Sequence, residues 1–240
     1  MSLVIIPTYN ELENVEAIIR AVFQLQEPFH ILIVDDGSPD GTAQIVRDLQ
    51  TTAFPGRLHL LERKGKLGLG TAYIAGFRWG LERDYAYFFE MDADFSHNPN
   101  DLPRLLAKCR VEGADVSVGS RYCRGGRVAD WPADRIILSR GASLYTSIIL
   151  WMPVADPTAG FICYSRKVLE TIDLDRIKFI GYAFQIEMKY TAYRLGFKVK
   201  EVPITFKDRI RGQSKMSLNI IREAMLGVIQ MRFRKVIGTP

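Results

Sequence analysis

The chain has 240 residues, of which 48% are hydrophobic and 25% are charged, and its formal net charge is +5. This composition is typical of a globular domain and argues against a disordered, collagenous or fully membrane-embedded protein. The three cysteines, Cys109, Cys123 and Cys163, are widely spaced and form no C-x-x-C pair. They argue against a secreted disulfide framework and a cysteine zinc site, and they favour a cytoplasmic location.

The first half of the chain alternates short apolar runs with helical patterns. Residues 1–7 (MSLVIIP) lack the basic region and cleavage site of a signal peptide, and they are interpreted as the region of a first strand. We expect strands at residues 3–6, 30–35, 57–62, 85–91 and 115–119, and helices at residues 11–25, 42–49, 69–82 and 100–111. The alternation predicts an α/β protein with a doubly wound, mostly parallel sheet and helices on both faces.

The second half of the chain has a less regular pattern. We expect an arginine-rich loop after residue 119, helices at residues 136–152, 184–195 and 218–235, and a strand at residues 198–206. The longest run without a charged residue, residues 141–155, contains Pro153 and is shorter than the ~20 residues that span a bilayer. No transmembrane helix is therefore expected.

Two aspartates follow the fourth predicted strand. Asp92 and Asp94 stand two residues apart, so both carboxylates would point to one side of an extended chain. An isolated D-x-D is more often an exposed turn, but in a doubly wound sheet ligands bind beyond the carboxyl ends of the strands. This position favours a cation between the two carboxylates. Oxygen ligands indicate Mg²⁺ or Mn²⁺, which bridge diphosphate oxygens and neutralise charge on a leaving group.

His97 is the nearby imidazole, and zinc is not expected because no cysteine cluster accompanies it. A turn-stabilising role and a ligand role fit this histidine equally well, and we assign it no catalytic function. A dinucleotide-binding fold is also disfavoured. GLG at residues 68–70 resembles the start of G-x-G-x-x-G, but Tyr73 stands at the third glycine position and the first strand ends without a glycine turn.

Six short motifs occur in order across residues 3–216. They are PTYNE at residues 7–11, DDGSPDGT at 35–42, KLGLGTAY at 66–73, MDADFSHNP at 91–99, GSRY at 119–122 and DRIRGQSK at 208–215. Each motif alone is moderately specific, and the ordered set is very specific. Together they resemble the motifs of family 2 glycosyltransferases of GT-A fold, and in particular those of the polyprenyl (dolichyl) phosphate mannosyltransferases.

This resemblance implies an inverting transfer of mannose from GDP-mannose to a polyprenyl phosphate, with Mg²⁺ or Mn²⁺ as cofactor. The implied nucleotide-sugar-binding residues are Pro7, Tyr9, Glu11, Val34, Asp36, Asp92, Ala93, Asp94 and Lys215. The implied metal ligands are Asp92 and Asp94, with Ser96 as a further candidate. The implied contacts of the acceptor phosphate are Arg121, Arg135, Ser139 and Arg209. The implied catalytic residues are Asp94, Arg121 and Arg209.

The positive charge of the chain is concentrated near its end. Residues 207–235 carry eight lysines or arginines and two acids. On a helix, Leu218, Ile221, Met225 and Val228 would form one apolar stripe, which suits either a membrane interface or packing on the core. A lipid acceptor favours the membrane interface. Residues 136–152, which end in Trp151 and Met152, are a second candidate for membrane contact.

We therefore expect a catalytic domain at residues 1–216 and a basic amphipathic helix at residues 217–240. The protein would lie peripherally on the cytosolic face of a membrane, alone or with a membrane-anchoring partner protein.

Two alternatives are left open by the residues. The first is transfer of glucose or another sugar from a UDP-sugar to the same lipid, because pocket shape decides the donor. The second is a membrane-surface binding module that keeps an inactive transferase fold. Asp92, Asp94, Arg121 and Arg209 together favour the enzyme. Nucleic acid is not expected as a partner, since the basic tract lacks an interleaved aromatic platform.

Overall fold

A computed structural model describes residues 1–181, 183–208 and 218–234, and for residues 218–224 it describes the backbone alone. The strands are β1 (Ser2–Thr8), β2 (Phe29–Asp35), β3 (Leu58–Glu62), β4 (Tyr87–Glu90), β5 (Val116–Ser120), β6 (Arg127–Val128), β7 (Ile162–Ser165), β8 (Val199–Pro203) and β9 (Thr205–Phe206). The helices are α1 (Val15–Phe23), α2 (Thr42–Thr52), α3 (Leu69–Leu81), α4 (Leu102–Arg110), α5 (Ala133–Leu150), α6 (Arg166–Thr171), α7 (Ala183–Arg194) and α8 (Leu218–Phe233).

The central sheet has seven strands in the order β3-β2-β1-β4-β7-β5-β8. Pairs β1–β2, β1–β4, β2–β3 and β5–β8 are parallel, and only β7 runs antiparallel to its two neighbours in this sheet. One apolar core packs α1, α2 and α4 on one face, and a second core packs α3, α6 and α7 on the other. The predicted α/β fold with a mostly parallel sheet and helices on both faces is confirmed.

Strand β7 was not predicted, and neither was the helix α6 that follows it. β7 is inserted between β4 and β5, with Glu90 opposite Ile162 in the ladder. Because β7 runs in the opposite direction, the loop that precedes it lies at the carboxyl ends of β4 and β5. The Gly119 N–H donates to the Phe161 carbonyl at this edge, at 2.8 Å.

Two predicted boundaries were wrong for local reasons. The first helix starts at Val15 instead of residue 11, because the N–H groups of Glu11 and Leu12 donate to side chains in the turn after β2. The predicted strand at residues 198–206 is split at Ile204 into β8 and β9, and β9 leaves the main sheet to pair with β6.

Helices α5 and α8 pack side by side, and the Tyr145 hydroxyl donates to the Met225 carbonyl at 3.1 Å. Of the expected apolar stripe on α8, the side chains of Leu218 and Ile221 lie outside the described residues, Val228 is buried and Met225 is about half exposed. One side of α8 packs on the protein and another side is exposed. Within the described part of the chain, no helix is both long and apolar enough to cross a membrane.

Candidate active site

Four parallel strands, β1, β2, β4 and β5, end at the same edge of the sheet, and the loop before β7 reaches that edge between β4 and β5. Of the predicted site residues, Tyr9, Glu11, Asp36, Asp92, Ala93, Asp94 and Arg121 lie in the turns that follow these strands. The edge divides into two clusters. We call residues 92–97 the carboxylate turn, and we call Arg121, Asp156 and Thr158 the arginine cluster.

The turns after β1 and β2 are tied together by Asp35. Its carboxylate accepts hydrogen bonds from the Thr8 hydroxyl at 2.9 Å and from the N–H and hydroxyl of Ser38 at 2.8 and 2.6 Å. Asp35 is thus a structural residue that fixes both turns. Beside them, Tyr9 is partly exposed, and the Lys66 ammonium lies 5.0 Å from the centre of its ring.

Asp36 is nearly buried and paired with Arg63. The Arg63 Nε donates to Asp36 Oδ1 at 2.7 Å, and the Leu67 N–H reaches Oδ2 at 3.3 Å. The pair connects the β2 turn to the loop before α3. Val34 lies in the core with its side chain completely covered, so this predicted pocket residue presents no side-chain surface.

Two other predicted nucleotide-binding residues belong to the β1 turn. Glu11 is partly exposed and accepts a hydrogen bond from the Asn14 side-chain amide at 2.8 Å. Pro7 is the partly exposed residue within β1, next to Thr8. The structure therefore brings Pro7, Tyr9, Glu11 and Asp36 to neighbouring turns.

His97, the last residue of the carboxylate turn, is buried and stacks on Phe161, with ring centres 4.9 Å apart. Burial lowers the pKa of His97 to about 4, so the ring is neutral at neutral pH. Its Nδ1 accepts a hydrogen bond from the Asp92 N–H at 3.2 Å, which leaves the ring proton on Nε2. His97 is therefore a structural residue that holds the backbone of Asp92.

The two aspartates of the carboxylate turn differ in exposure. The side chain of Asp92 is 40% exposed, whereas Asp94 is buried. Asp94 Oδ1 accepts a hydrogen bond from the Ser96 N–H at 3.0 Å, and Phe95 between them has a φ of 61°. The turn thus holds Asp94 in place while Asp92 reaches the solvent.

The donor set fits a hard divalent cation. Carboxylate oxygens, such as those of Asp92 and Asp94, and hydroxyl oxygens, such as that of Ser96 in the same turn, are the ligands that Mg²⁺ and Mn²⁺ take. Among the described residues, no group of three or more His, Cys, Asp or Glu side chains is arranged to hold a metal. Mg²⁺ commonly binds through one or two carboxylates, with substrate phosphates and water completing its shell.

Arg121 follows β5 and is held by Asp156. Arg121 Nε and Nη2 each donate to the Asp156 carboxylate at 2.7 Å, and Nη2 also donates to the Thr158 hydroxyl at 2.8 Å. Asp156 is completely buried, and the Arg121 side chain is only 10% exposed. Although burial opposes it, hydrogen bonding to Asp156 raises the pKa of Arg121 above its ordinary value.

The sequence prediction named Arg121 as a contact of the acceptor phosphate but assigned Asp156 no role. The guanidinium is oriented by a bidentate ion pair, and Nη1 has no hydrogen-bond partner among the described residues. The arginine cluster lies close to the carboxylate turn, since the Phe206 ring has its centre 5.5 Å from that of the His97 ring and 5.4 Å from the Arg121 guanidinium.

Arg135 and Ser139 are on α5 beside the arginine cluster. Arg135 donates to Asp208 at 2.9 Å, and its guanidinium lies 3.8 Å from the centre of the Trp131 ring. The Ser139 hydroxyl accepts from the Tyr122 hydroxyl at 2.7 Å. Both residues are partly exposed.

Arg209 and Lys215, which the sequence motif also implicates, lie outside the described residues. The chain immediately before Arg209 approaches both halves of the site. The Lys207 N–H donates to the Ser96 carbonyl at 3.4 Å, and Asp208 bonds Arg135.

Comparison with known proteins assigns the family. The model of glycosyl transferase family 2 matches residues 3–173, and the chain belongs to this family. It is 49% identical over 233 residues to the polyprenol monophosphomannose synthase of Mycolicibacterium smegmatis, covering 97% of this chain and 87% of the relative. It is 46% identical over 226 residues to the undecaprenyl-phosphate mannosyltransferase of Micrococcus luteus, covering 94% of this chain and 91% of that protein.

Solved structures agree on the fold. Glucosyl-3-phosphoglycerate synthase from Mycobacterium tuberculosis, crystallised with Mn²⁺, uridine diphosphate and phosphoglyceric acid, matches with a TM-score of 0.67 at 17% identity, over 96% of this chain and 76% of that one. Mannosyl-3-phosphoglycerate synthase from Rubrobacter xylanophilus matches with a TM-score of 0.68 at 18% identity, over 96% of this chain and 72% of that one. The expected GT-A-type fold is thus confirmed.

Proposed function

We propose that the protein transfers mannose from GDP-mannose to a polyprenyl phosphate, giving polyprenyl phosphate mannose and GDP with inversion at the anomeric carbon. The observation that carries the proposal is the meeting of the carboxylate turn and the arginine cluster at one edge of the sheet, where both contact Phe206. It is supported by the names of two relatives, a polyprenol monophosphomannose synthase and an undecaprenyl-phosphate mannosyltransferase.

In this proposal the nucleotide binds over the turns after β1 and β2. The Tyr9 ring offers a stacking surface, and Glu11 and Asp36 offer carboxylates to base N–H or ribose hydroxyl groups. The nucleotide-sugar would also contact Asp92, Ala93 and Lys215.

Asp92 and Asp94 would hold the divalent cation, with Ser96 as a third oxygen donor. When bound, Mg²⁺ or Mn²⁺ would neutralise charge that develops on the departing diphosphate. The fold relatives crystallised with Mn²⁺ support a divalent ion of this kind.

The acceptor needs little activation in this mechanism. A phosphate monoester has its second pKa near 6, so it is largely dianionic at neutral pH and needs no general base. A phosphate oxygen forms the new bond to the sugar C1 while the bond from C1 to the GDP oxygen breaks. The contribution of Arg121, Arg135, Ser139 and Arg209 would be to fix that phosphate in line with the leaving group.

The helix pair α5 and α8 offers an apolar surface for the lipid acceptor, and Arg135 lies on α5. Helices α5 and α8 carry exposed apolar residues, which are Ile137, Leu138, Leu144, Ile148, Met225, Leu226, Ile229 and Phe233. Trp151, directly after α5, is 74% exposed, and the Arg232 guanidinium lies 4.7 Å from the centre of its ring. We call these residues the apolar patch. Exposed apolar residues rimmed by arginine and tryptophan are typical of proteins that lie in a membrane interface. We propose peripheral binding to the cytosolic face of a membrane, either directly or with an anchoring partner.

The proposal is tested by incubating purified protein with polyprenyl phosphate and Mn²⁺ or Mg²⁺, with labelled GDP-mannose and labelled UDP-glucose in parallel reactions. Label that enters the organic phase from GDP-mannose alone, and that EDTA abolishes, is the expected result. Label from UDP-glucose alone would contradict mannose as the transferred sugar and GDP as the donor nucleotide, and it would favour transfer of glucose. No transfer from either donor in the presence of membranes would contradict the enzymatic proposal and favour a binding module.

A further inference from the structure

The loop that supplies Asp156 and Thr158 to the arginine cluster is fixed from two sides. At its start, the Glu201 carboxylate on β8 accepts hydrogen bonds from the N–H groups of Ala155 and Asp156, at 2.9 and 3.0 Å. At its end, the Lys189 ammonium on α7 donates to the Ala159 carbonyl at 2.6 Å. Both anchors are charged side chains on elements outside the loop.

Lys189 is unusual because it is completely buried. An ammonium group loses its hydration on burial, and burial lowers the pKa of Lys189 to about 7. The acidic side chains of Glu90, Asp156 and Glu201 oppose this shift, and the charge of Arg121 reinforces it. A methionine of similar length would fill the same volume without the desolvation cost, so packing alone does not account for a lysine here.

The geometry connects this lysine to Arg121, a proposed contact of the acceptor phosphate. Its hydrogen bond fixes the residue directly after Thr158, and Thr158 accepts from the same Arg121 nitrogen that donates to Asp156. A displacement of the loop would therefore move both partners of Arg121 together. Side chains that hold a substrate-binding group need this kind of support, since a shift of about 1 Å can reduce the rate by about a hundredfold.

We infer that Lys189 and Glu201 are positioning residues for acceptor binding, which hold the loop at residues 155–160 so that Arg121 presents its remaining Nη1 edge to the lipid phosphate. This inference rests on the proposed function. It assigns neither residue a contact with substrate.

The test measures KM for GDP-mannose and for polyprenyl phosphate separately in Lys189→Met and Glu201→Gln, with the melting temperature of each variant recorded. We expect KM for the lipid phosphate to rise roughly tenfold in both variants, while KM for the donor stays within about twofold. Lys200→Met is the matched control, because Lys200 lies on the same strand as Glu201 with its side chain exposed, and its kinetics should equal the wild type.

A double variant separates positioning from general weakening. If Lys189 acts through the ion pair of Arg121 and Asp156, the effects of Lys189→Met and Asp156→Asn should not be independent. The double variant should then raise the lipid KM by clearly less than the product of the two single fold-changes. The inference is overturned if folded Glu201→Gln and Lys189→Met leave the lipid KM unchanged, or if they raise both KM values equally. A wild-type protein that transfers no sugar at all contradicts the proposed function instead, so the two failures are distinguishable.

Discussion

The carboxylate turn and the arginine cluster lie side by side, but they are built in opposite ways. In the carboxylate turn, the Asp92 N–H donates to His97, five positions further along the chain, and Asp94 accepts from the N–H of Ser96, two positions further along. In the arginine cluster, Arg121 is fixed by Asp156, which is 35 positions away, and beside the cluster Arg135 bonds Asp208, which is 73 positions away. A local turn keeps its shape when its surroundings change, whereas the arginine cluster depends on the packing of β7 and its loop. We therefore expect variants in the first region to lose activity without losing the fold, and variants in the second region to affect both.

The largest effect is expected for Asp94→Ala. Removing this buried carboxylate should reduce sugar transfer by a factor on the order of a hundred or more, because charge on the leaving diphosphate would lose its compensation. The melting temperature should stay close to that of the wild type, since the hydrogen bond between the Ser96 N–H and Asp94 lies within a single turn. Asp84→Ala, at an exposed aspartate, is the control. Wild-type turnover in Asp94→Ala would remove the proposed metal role.

Unlike Asp94→Ala, the variant Asp156→Ala should lower the free energy of unfolding. It leaves the Arg121 guanidinium buried without its counter-ion, which typically costs about 3–5 kcal/mol. Denaturant unfolding measures this change. The double variant Arg121→Met with Asp156→Leu should recover most of the stability, because no charge is then left unpaired. An equally unstable double variant would show that the loop depends on Asp156 for another reason.

The apolar patch permits a comparison with exposed apolar residues elsewhere. Ile148→Ser combined with Trp151→Ser should weaken binding to anionic lipid vesicles by at least about tenfold, since two large apolar side chains would no longer enter the interface. Co-sedimentation with vesicles measures the effect. Val111→Ser is the matched control, because Val111 is 75% exposed and follows α4, away from the patch. Equal binding by the patch variant and the control would contradict a direct membrane contact.

The smallest effect is expected on the pH dependence of the free energy of unfolding. It arises in a third region, where the Tyr85 hydroxyl contacts His30 Nδ1 at 3.0 Å and His59 Nε2 at 3.4 Å. Burial lowers the pKa of both histidines below the ordinary 6.5, with Arg57 and the N-terminus acting further on His30, and Arg83 on His59. Below pH 6.5 the unfolded chain thus binds protons that the folded chain does not, and the free energy of unfolding falls as the pH decreases. His59→Gln should flatten this part of the stability curve measured by denaturant unfolding. An unchanged slope would contradict the assignment.

The same contrast explains how far the sequence could predict the structure. Turn motifs such as those around Asp36 and Asp92 follow apolar strands directly, so their place at one edge follows from the strand pattern. The pairing of Arg121 with Asp156 required β7 to run antiparallel between β4 and β5, and a short run such as ICYS carries no sign of its direction or neighbours. The burial of individual polar residues could not be predicted from the sequence either. Lys189 on α7 is chemically ordinary in the sequence and becomes informative only because the fold covers it completely.

The central claim is that the carboxylate turn serves the sugar donor and the arginine cluster serves the lipid phosphate. The most direct test is to measure KM for GDP-mannose and for polyprenyl phosphate in Asp92→Asn and in Asp156→Asn, both conservative in volume. We predict that Asp92→Asn raises KM for the donor alone and that Asp156→Asn raises KM for the lipid phosphate alone. An increase in the same KM in both variants would contradict the division of the site into these two halves.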